Sequence, residues 1–226
     1  MPVIRSLPHA YLAPVIGGLA LLLGGGLALT VELQPFLADR TTSTSRVVQL
    51  AQGEAGSGLS ISADQTLLLD CRSAMSSAAG QLQPPRVREA LARSCLAIGD
   101  GMTAKSPTLS EAYATGAMAA GMLGDADGLS RRLVDAQASA PAEQWLARLR
   151  VAIADRHFAA LSEVAVAAYE RDVRLLLVDE PGIASIAYRY LEREEFRARV
   201  DMVVATLPPS ERERFARWVR KHTAGG

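Results

Sequence analysis

Twenty-one consecutive residues, Tyr11 to Val31, carry no charge, and they lie almost at the N-terminus. The run centres on Val15-Ile16-Gly17-Gly18-Leu19-Ala20-Leu21-Leu22-Leu23. About 20 apolar residues cross a hydrocarbon core of roughly 30 Å as a helix. A helix is required because every backbone amide must be satisfied without water. The sequence therefore predicts a transmembrane helix over 11–31, preceded by a short N-terminal segment, 1–10. The α-amino group, Arg5 and His9 lie before the span, whereas Glu32 and Asp39 come first after it. This bias favours a cytoplasmic N-terminus and an exported body.

A cleaved signal peptide is the competing reading. Such peptides have an apolar core of roughly 7–15 residues and a small-residue cleavage site. Here the run is longer, and Gly26-Leu27-Ala28 and Phe36-Leu37-Ala38 match A-x-A poorly. An uncleaved anchor fits better, and both readings put the body in the same compartment. Ala20, Gly24 and Ala28 recur every four residues, a stripe through which two membrane helices can approach closely. Gly17, Gly18, Gly25 and Gly26 lie off it, so a homodimer through this stripe competes with ordinary small-residue usage.

Beyond the span, 32–61 reads as a flexible linker. Thr41-Thr42-Ser43-Thr44-Ser45 and Gly53-Glu54-Ala55-Gly56-Ser57-Gly58 offer little apolar surface to offset ordering. A coil of some two dozen residues would reach roughly 25–30 Å. The remainder, 62–226, is the size of one domain. Lys+Arg and Asp+Glu each number 24, and this balance argues against a nucleic-acid partner bound through phosphate charge.

Apolar residues in the body recur with a period near 3.6, and no stretch alternates convincingly with period 2. The expected fold class is all-α. Ser62 with Gln65 reads as a capping box for a helix to about Ala79, and Thr108 with Glu111 and Ser210 with Glu213 read likewise. Helices are expected at about 85–104, at 109–123 closed by Gly124, and at 125–138. Pro141 should open the next helix, which carries Trp145, Leu146, Leu149 and Ile153. A helix over about 162–178 should be broken by Pro181-Gly182, with three shorter helices beyond. Short connections between one-sided helices favour antiparallel hairpins.

One segment resembles a known family. Pro107 and Pro141 are 34 residues apart, the period of tetratricopeptide repeats. Tyr113, Ala117 and Ala120 stand at that family's first-helix packing positions, and Leu123-Gly124-Asp125 at its inter-helix turn. Leu129, Leu133 and Ala136 match the second helix, with Leu129 where alanine is usual. The resemblance covers about one repeat, roughly 108–141, and the flanking pairs match only as irregular hairpins. It implies a helical solenoid that binds proteins and performs no chemistry.

The two cysteines are legible on geometric grounds. Cys71 and Cys95 lie about a dozen residues before and after the Gly80–Pro84 turn, so an antiparallel hairpin brings them to one height. Each falls on its helix's apolar stripe. In an oxidising compartment this placement predicts a Cys71–Cys95 disulfide. Two buried free thiols are the alternative. A redox-catalytic pair is disfavoured because there is no C-x-x-C and an apolar seam suits a reactive thiolate poorly.

No H-E-x-x-H, G-x-S-x-G, P-loop or G-x-G-x-x-G motif occurs, so neither a catalytic residue, a metal ligand nor a cofactor site is expected. His9, His157 and His222 stand in separate contexts, and the charges of 189–199 and 212–221 read as solvated helix faces. These features predict a single-pass bacterial inner-membrane protein, not an enzyme, whose periplasmic helical domain binds or organises another envelope protein. The alternative is an accessory factor of cell-surface polysaccharide synthesis or export that binds glycan directly. That reading needs exposed aromatics beside arginines, with Trp145, Tyr188, Tyr190 and Trp218 as the candidates.

Overall fold

The computed structural model describes residues 12–37, 43–56 and 58–223. Twelve α-helices and no strand occur among them: α1 Leu12–Leu37, α2 Ser43–Ala51, α3 Ile61–Ser76, α4 Ala78–Gln81, α5 Pro85–Lys105, α6 Ser110–Leu123, α7 Ala126–Ser139, α8 Gln144–Arg156, α9 Glu163–Leu176, α10 Glu180–Glu192, α11 Glu194–Ala205 and α12 Pro209–Thr223. The fold is all-α.

α1 is long and apolar enough to cross a membrane, and none of its most apolar stretch is buried within the protein. At 26 residues it extends past the uncharged run through Glu32 to Leu37. Ala20, Gly24 and Ala28 lie exposed along it, and a Cβ at Gly24 would meet nothing within 4 Å.

The expected linker is corrected here. Residues 32–37 continue α1, and residues 43–51 form α2. Val47 and Leu50 on α2 are fully buried, and the helix packs on α3 and α5. Arg46 pairs with Asp70 of α3 at 2.8 Å. Three residues of a nine-residue helix supply this docking, too few to outweigh the polar composition when the sequence is read alone. Residues 38–42, with Thr41 and Thr42, lie outside the described residues.

The body is a stack of hairpins: α3/α5, α6/α7, α8/α9 and α10/α11. α3, α6, α8 and α10 adjoin in that order to make one layer, and α7, α9 and α11 line the other. α12 closes the end against α10. α6 is central. Its sequence is mostly Ala, Gly, Ser and Thr, so α3, α5, α7 and α8 can approach it on all sides. Gly124 ends it in the left-handed conformation with φ 75°, which a Cβ would oppose.

Several helix starts differ from the expected ones. Ser60, not Ser62, caps α3 by accepting from the Ala63 amide. α6 starts without a side-chain cap, because Glu111 is drawn to Arg72 at 2.8 Å. α8 begins at Gln144, three residues past Pro141. Pro181 opens α10 instead of breaking a helix, since Asp179 caps the Gly182 amide and a proline suits the first turn.

The first hairpin is cross-linked. Cys71 of α3 and Cys95 of α5 form a disulfide, with Cα atoms 5.7 Å apart and both residues fully buried. The third hairpin is joined differently. Arg150 of α8, 1 % exposed, donates to both carboxylate oxygens of Asp172 on α9, at 2.7 and 2.6 Å. It also donates to the carbonyls of Ala136 and Ala140 at the end of α7. These carbonyls lie at the C-terminal end of α7, so one guanidinium ties that helix end to the middles of α8 and α9.

Candidate interaction groove

Three adjoining helices each present a stripe to the same face. α3 offers Gln65, Leu69, Arg72 and Ser76. α6 offers Glu111, Met118 and Met122, and α8 offers Trp145, Leu149, Ile153 and Arg156. The spacings of three, four and, in α6, seven residues put each set on one side of its helix. Concavities of about 440, 180 and 400 Å³ follow one another along this face. Arg72 lines the first two, and Arg156 and His157 line the second and third. They form one groove, with α6 as its floor.

The groove's first end is aromatic. Trp145, half-exposed, faces Phe36 from the end of α1 across a space that Leu69 also lines. Its middle is apolar, with Met118, Leu149 and Ile153. Arg72 is held there by Glu111 and by Thr115 Oγ1 at 3.4 Å, so its charge is largely answered. Its far end is basic. Arg88 and Arg156 line it, and neither has an ion pair among the described residues. Glu89, the acid there, is taken by Arg93 at 2.6 Å. His157 sits between them. Burial, with Arg156 next to it, holds its imidazole below the usual histidine range. An aromatic end, an apolar middle and a basic end suit a ligand with apolar groups followed by acidic ones.

Of the four aromatics singled out in the sequence, Trp145 and Tyr188 are exposed, while Tyr190 and Trp218 are buried. The Tyr190 hydroxyl donates to Asp201 at 2.9 Å, and Trp218 stacks on His222. Only Trp145 shares the groove with an arginine. His222 Nδ1 lies 2.8 Å from the Trp218 carbonyl, and His9 lies outside the described residues. Among the described residues, no three His, Cys, Asp or Glu side chains gather in a metal-binding group.

A second polar cluster lies behind the groove. Asp155, 4 % exposed, accepts from Arg199 at 2.6 Å and Arg193 at 2.7 Å. Arg199 covers the Phe158 ring at 4.4 Å, and Phe158 meets Tyr169 edge-on at 5.3 Å. The Tyr169 hydroxyl lies beside Arg199 without a hydrogen bond among the described residues, and burial pushes its pKa up to about 12. This cluster ties α8 and α9 to α11. The sequence put Leu149 and Ile153 on one stripe with Trp145, and Gln65 and Glu111 in capping boxes, but did not bring them together as a groove. The apolar stripes signalled helix faces that need neighbours, but not which face would be left uncovered. No family model matches the chain, and no curated protein or solved structure matches it.

Proposed function

We propose that this protein is a single-pass bacterial inner-membrane protein whose periplasmic, tetratricopeptide-like body recruits another envelope protein. α1 is the anchor, with its N-terminus in the cytoplasm. The observation that carries the reading is the groove: stripes of α3 and α8 flank a floor of α6, and Arg88 and Arg156, neither in an ion pair among the described residues, line one end. The fitting partner segment is a helix or extended peptide whose apolar anchors fill the Trp145–Ile153 stretch, followed by acidic residues. The basic bias of the N-terminal flank supports the orientation, and the cross-linked cysteines suit an oxidising compartment.

The test is site-specific photocrosslinking in intact cells. A crosslinker at Leu69 or Leu149 should capture an envelope protein, and one at the exposed Met202 of α11 should not. Equal capture from both faces, or none from the groove, would sink the proposal. Direct glycan binding is the second reading, favoured by Trp145 beside Arg72. A Trp145→Ala variant that loses polysaccharide retention but keeps every protein crosslink would select it.

A further inference from the structure

The end of α1 and the start of α3 are held at one level. Glu32 directly follows Val31, the last residue of the uncharged run. Its carboxylate accepts from the amides of Leu59 at 2.8 Å and Ser60 at 3.0 Å, and from the Ser60 hydroxyl. Ser60 is itself the cap of α3. A Cβ at Gly58 would collide with Ala63 and press on Glu32 Oε2, so the backbone approaches closely here. On the other side of α1, Thr30 shares a cavity with Glu54, Ala55 and Gly56. Residues 54–56 and 58–60, just before α3, therefore stand where the uncharged segment ends.

At that level the protein exposes large apolar side chains. Leu59 and Ile61, on either side of Ser60, are 69 % and 63 % exposed. Leu37, at the end of α1, is 75 % exposed, and Phe36 next to it faces Trp145. The helical residues from Leu12 to Val31 rise about 30 Å, close to the hydrocarbon thickness, so Glu32 falls at its edge. Phe36 lies about 6 Å beyond, within the headgroup layer where aromatic side chains concentrate.

We infer that the body rests on the bilayer beside its own anchor, with Leu59, Ile61, Phe36, Leu37 and Trp145 set into the headgroup zone. The partner of this surface is the lipid bilayer. Each of these side chains gains by leaving water, and the Glu32 clamp keeps them at the right height. The inference rests on α1 spanning the membrane. It places the aromatic end of the groove at the bilayer surface, so the segment the groove accepts lies close to a membrane.

The experiment uses the full chain in vesicles of phosphatidylethanolamine and phosphatidylglycerol. Both native cysteines are in the disulfide, so a single added cysteine takes a fluorophore selectively. Labels go on Leu59→Cys and Ile61→Cys, with Leu82→Cys and Leu21→Cys as references. Leu82 is exposed at the far end of the α3/α5 hairpin, about 24 Å along α3. Lipids spin-labelled near the headgroup should quench the labels at 59 and 61 about threefold more than the label at 82, because interfacial side chains sit roughly 5–10 Å into this zone. Quenching at 59 and 61 no stronger than at 82, with the mid-span label at 21 quenched by lipids labelled deep in the chain, overturns the inference and leaves the anchor standing. An unquenched label at 21 overturns the anchor and the inference together.

Discussion

The hairpins α3/α5 and α8/α9 are both cross-braced, but by opposite means. The first is joined by a covalent bond between two apolar-seam cysteines. The second is joined by a buried arginine and aspartate. A disulfide acts chiefly by restricting the unfolded chain, and its worth depends on loop length and on an oxidising compartment. A buried ion pair acts in the folded state, where two desolvated charges tolerate each other only with good geometry and satisfied hydrogen bonds. Arg150 meets that condition, because the carbonyls of Ala136 and Ala140 take what Asp172 leaves. The first hairpin is thus braced by chemistry independent of its neighbours. The second is braced by chemistry that also fixes where α7 ends.

The comparison can be broken most forcefully at Arg150. Arg150→Ala should cost about 3–5 kcal/mol in urea unfolding, because it strands a buried carboxylate. Burial already pushes the Asp172 carboxyl above the usual aspartate range despite Arg150. Without the arginine the carboxyl rises further. The deficit should therefore be greatest at neutral pH and shrink as falling pH protonates the group. Arg150→Met with Asp172→Leu should recover most of the loss, and a double variant as unstable as the single one would refute the desolvation account.

The covalent brace comes next. Replacing both Cys71 and Cys95 by Ala should cost about 3 kcal/mol for a loop spanning 24 residues. Wild-type protein unfolded under reductant should approach the same stability. A smaller loss at unchanged slope of the urea transition would mean that the reduced hairpin retains structure when unfolded.

Two smaller effects sharpen the view of the second hairpin. The buried Tyr169 hydroxyl lies beside Arg199 without a well-formed hydrogen bond among the described residues, so Tyr169→Phe should be neutral or stabilising by up to about 1 kcal/mol. A clear destabilisation would show that the hydroxyl has a partner in solution. His157 gives the smallest expected effect. Its folded pKa lies below the ordinary 6.5, so the unfolded chain binds a proton more readily. Stability should fall as pH drops from about 6.5 toward the folded value, and it should level off below that. His157→Gln should remove this slope, which thermal unfolding at several pH values would measure.

The two braces also differ in how far they could be read in advance. Cys71 and Cys95 were legible because two rare residues stood at matched distances from a turn, on stripes that had to face each other. Arg150 was invisible among many solvated arginines, since its partner lies on the next helix and its other acceptors on the one before. The same limit applied to Val47 and Leu50. Too few apolar residues marked the segment, and α3, α4 and α5 supplied the surface that orders it. Trp145 shows the converse. The sequence placed it on one helix with Leu149 and Ile153, and the stacking of α3, α6 and α8 left it at a groove's mouth.

Local chemistry settled the all-helical class, the membrane-length apolar helix and the hairpin that could carry a disulfide. Each of these depends on periodicity, length or height along one or two helices, which neighbours in sequence control. Tertiary packing alone decided that the supposed linker joins the body, that Glu32 locks α1 to the start of α3, and which stripes line the groove. Those outcomes depend on contacts between residues far apart in the chain, where the desolvation and hydrogen bonding of one group are set by whichever helix arrives beside it.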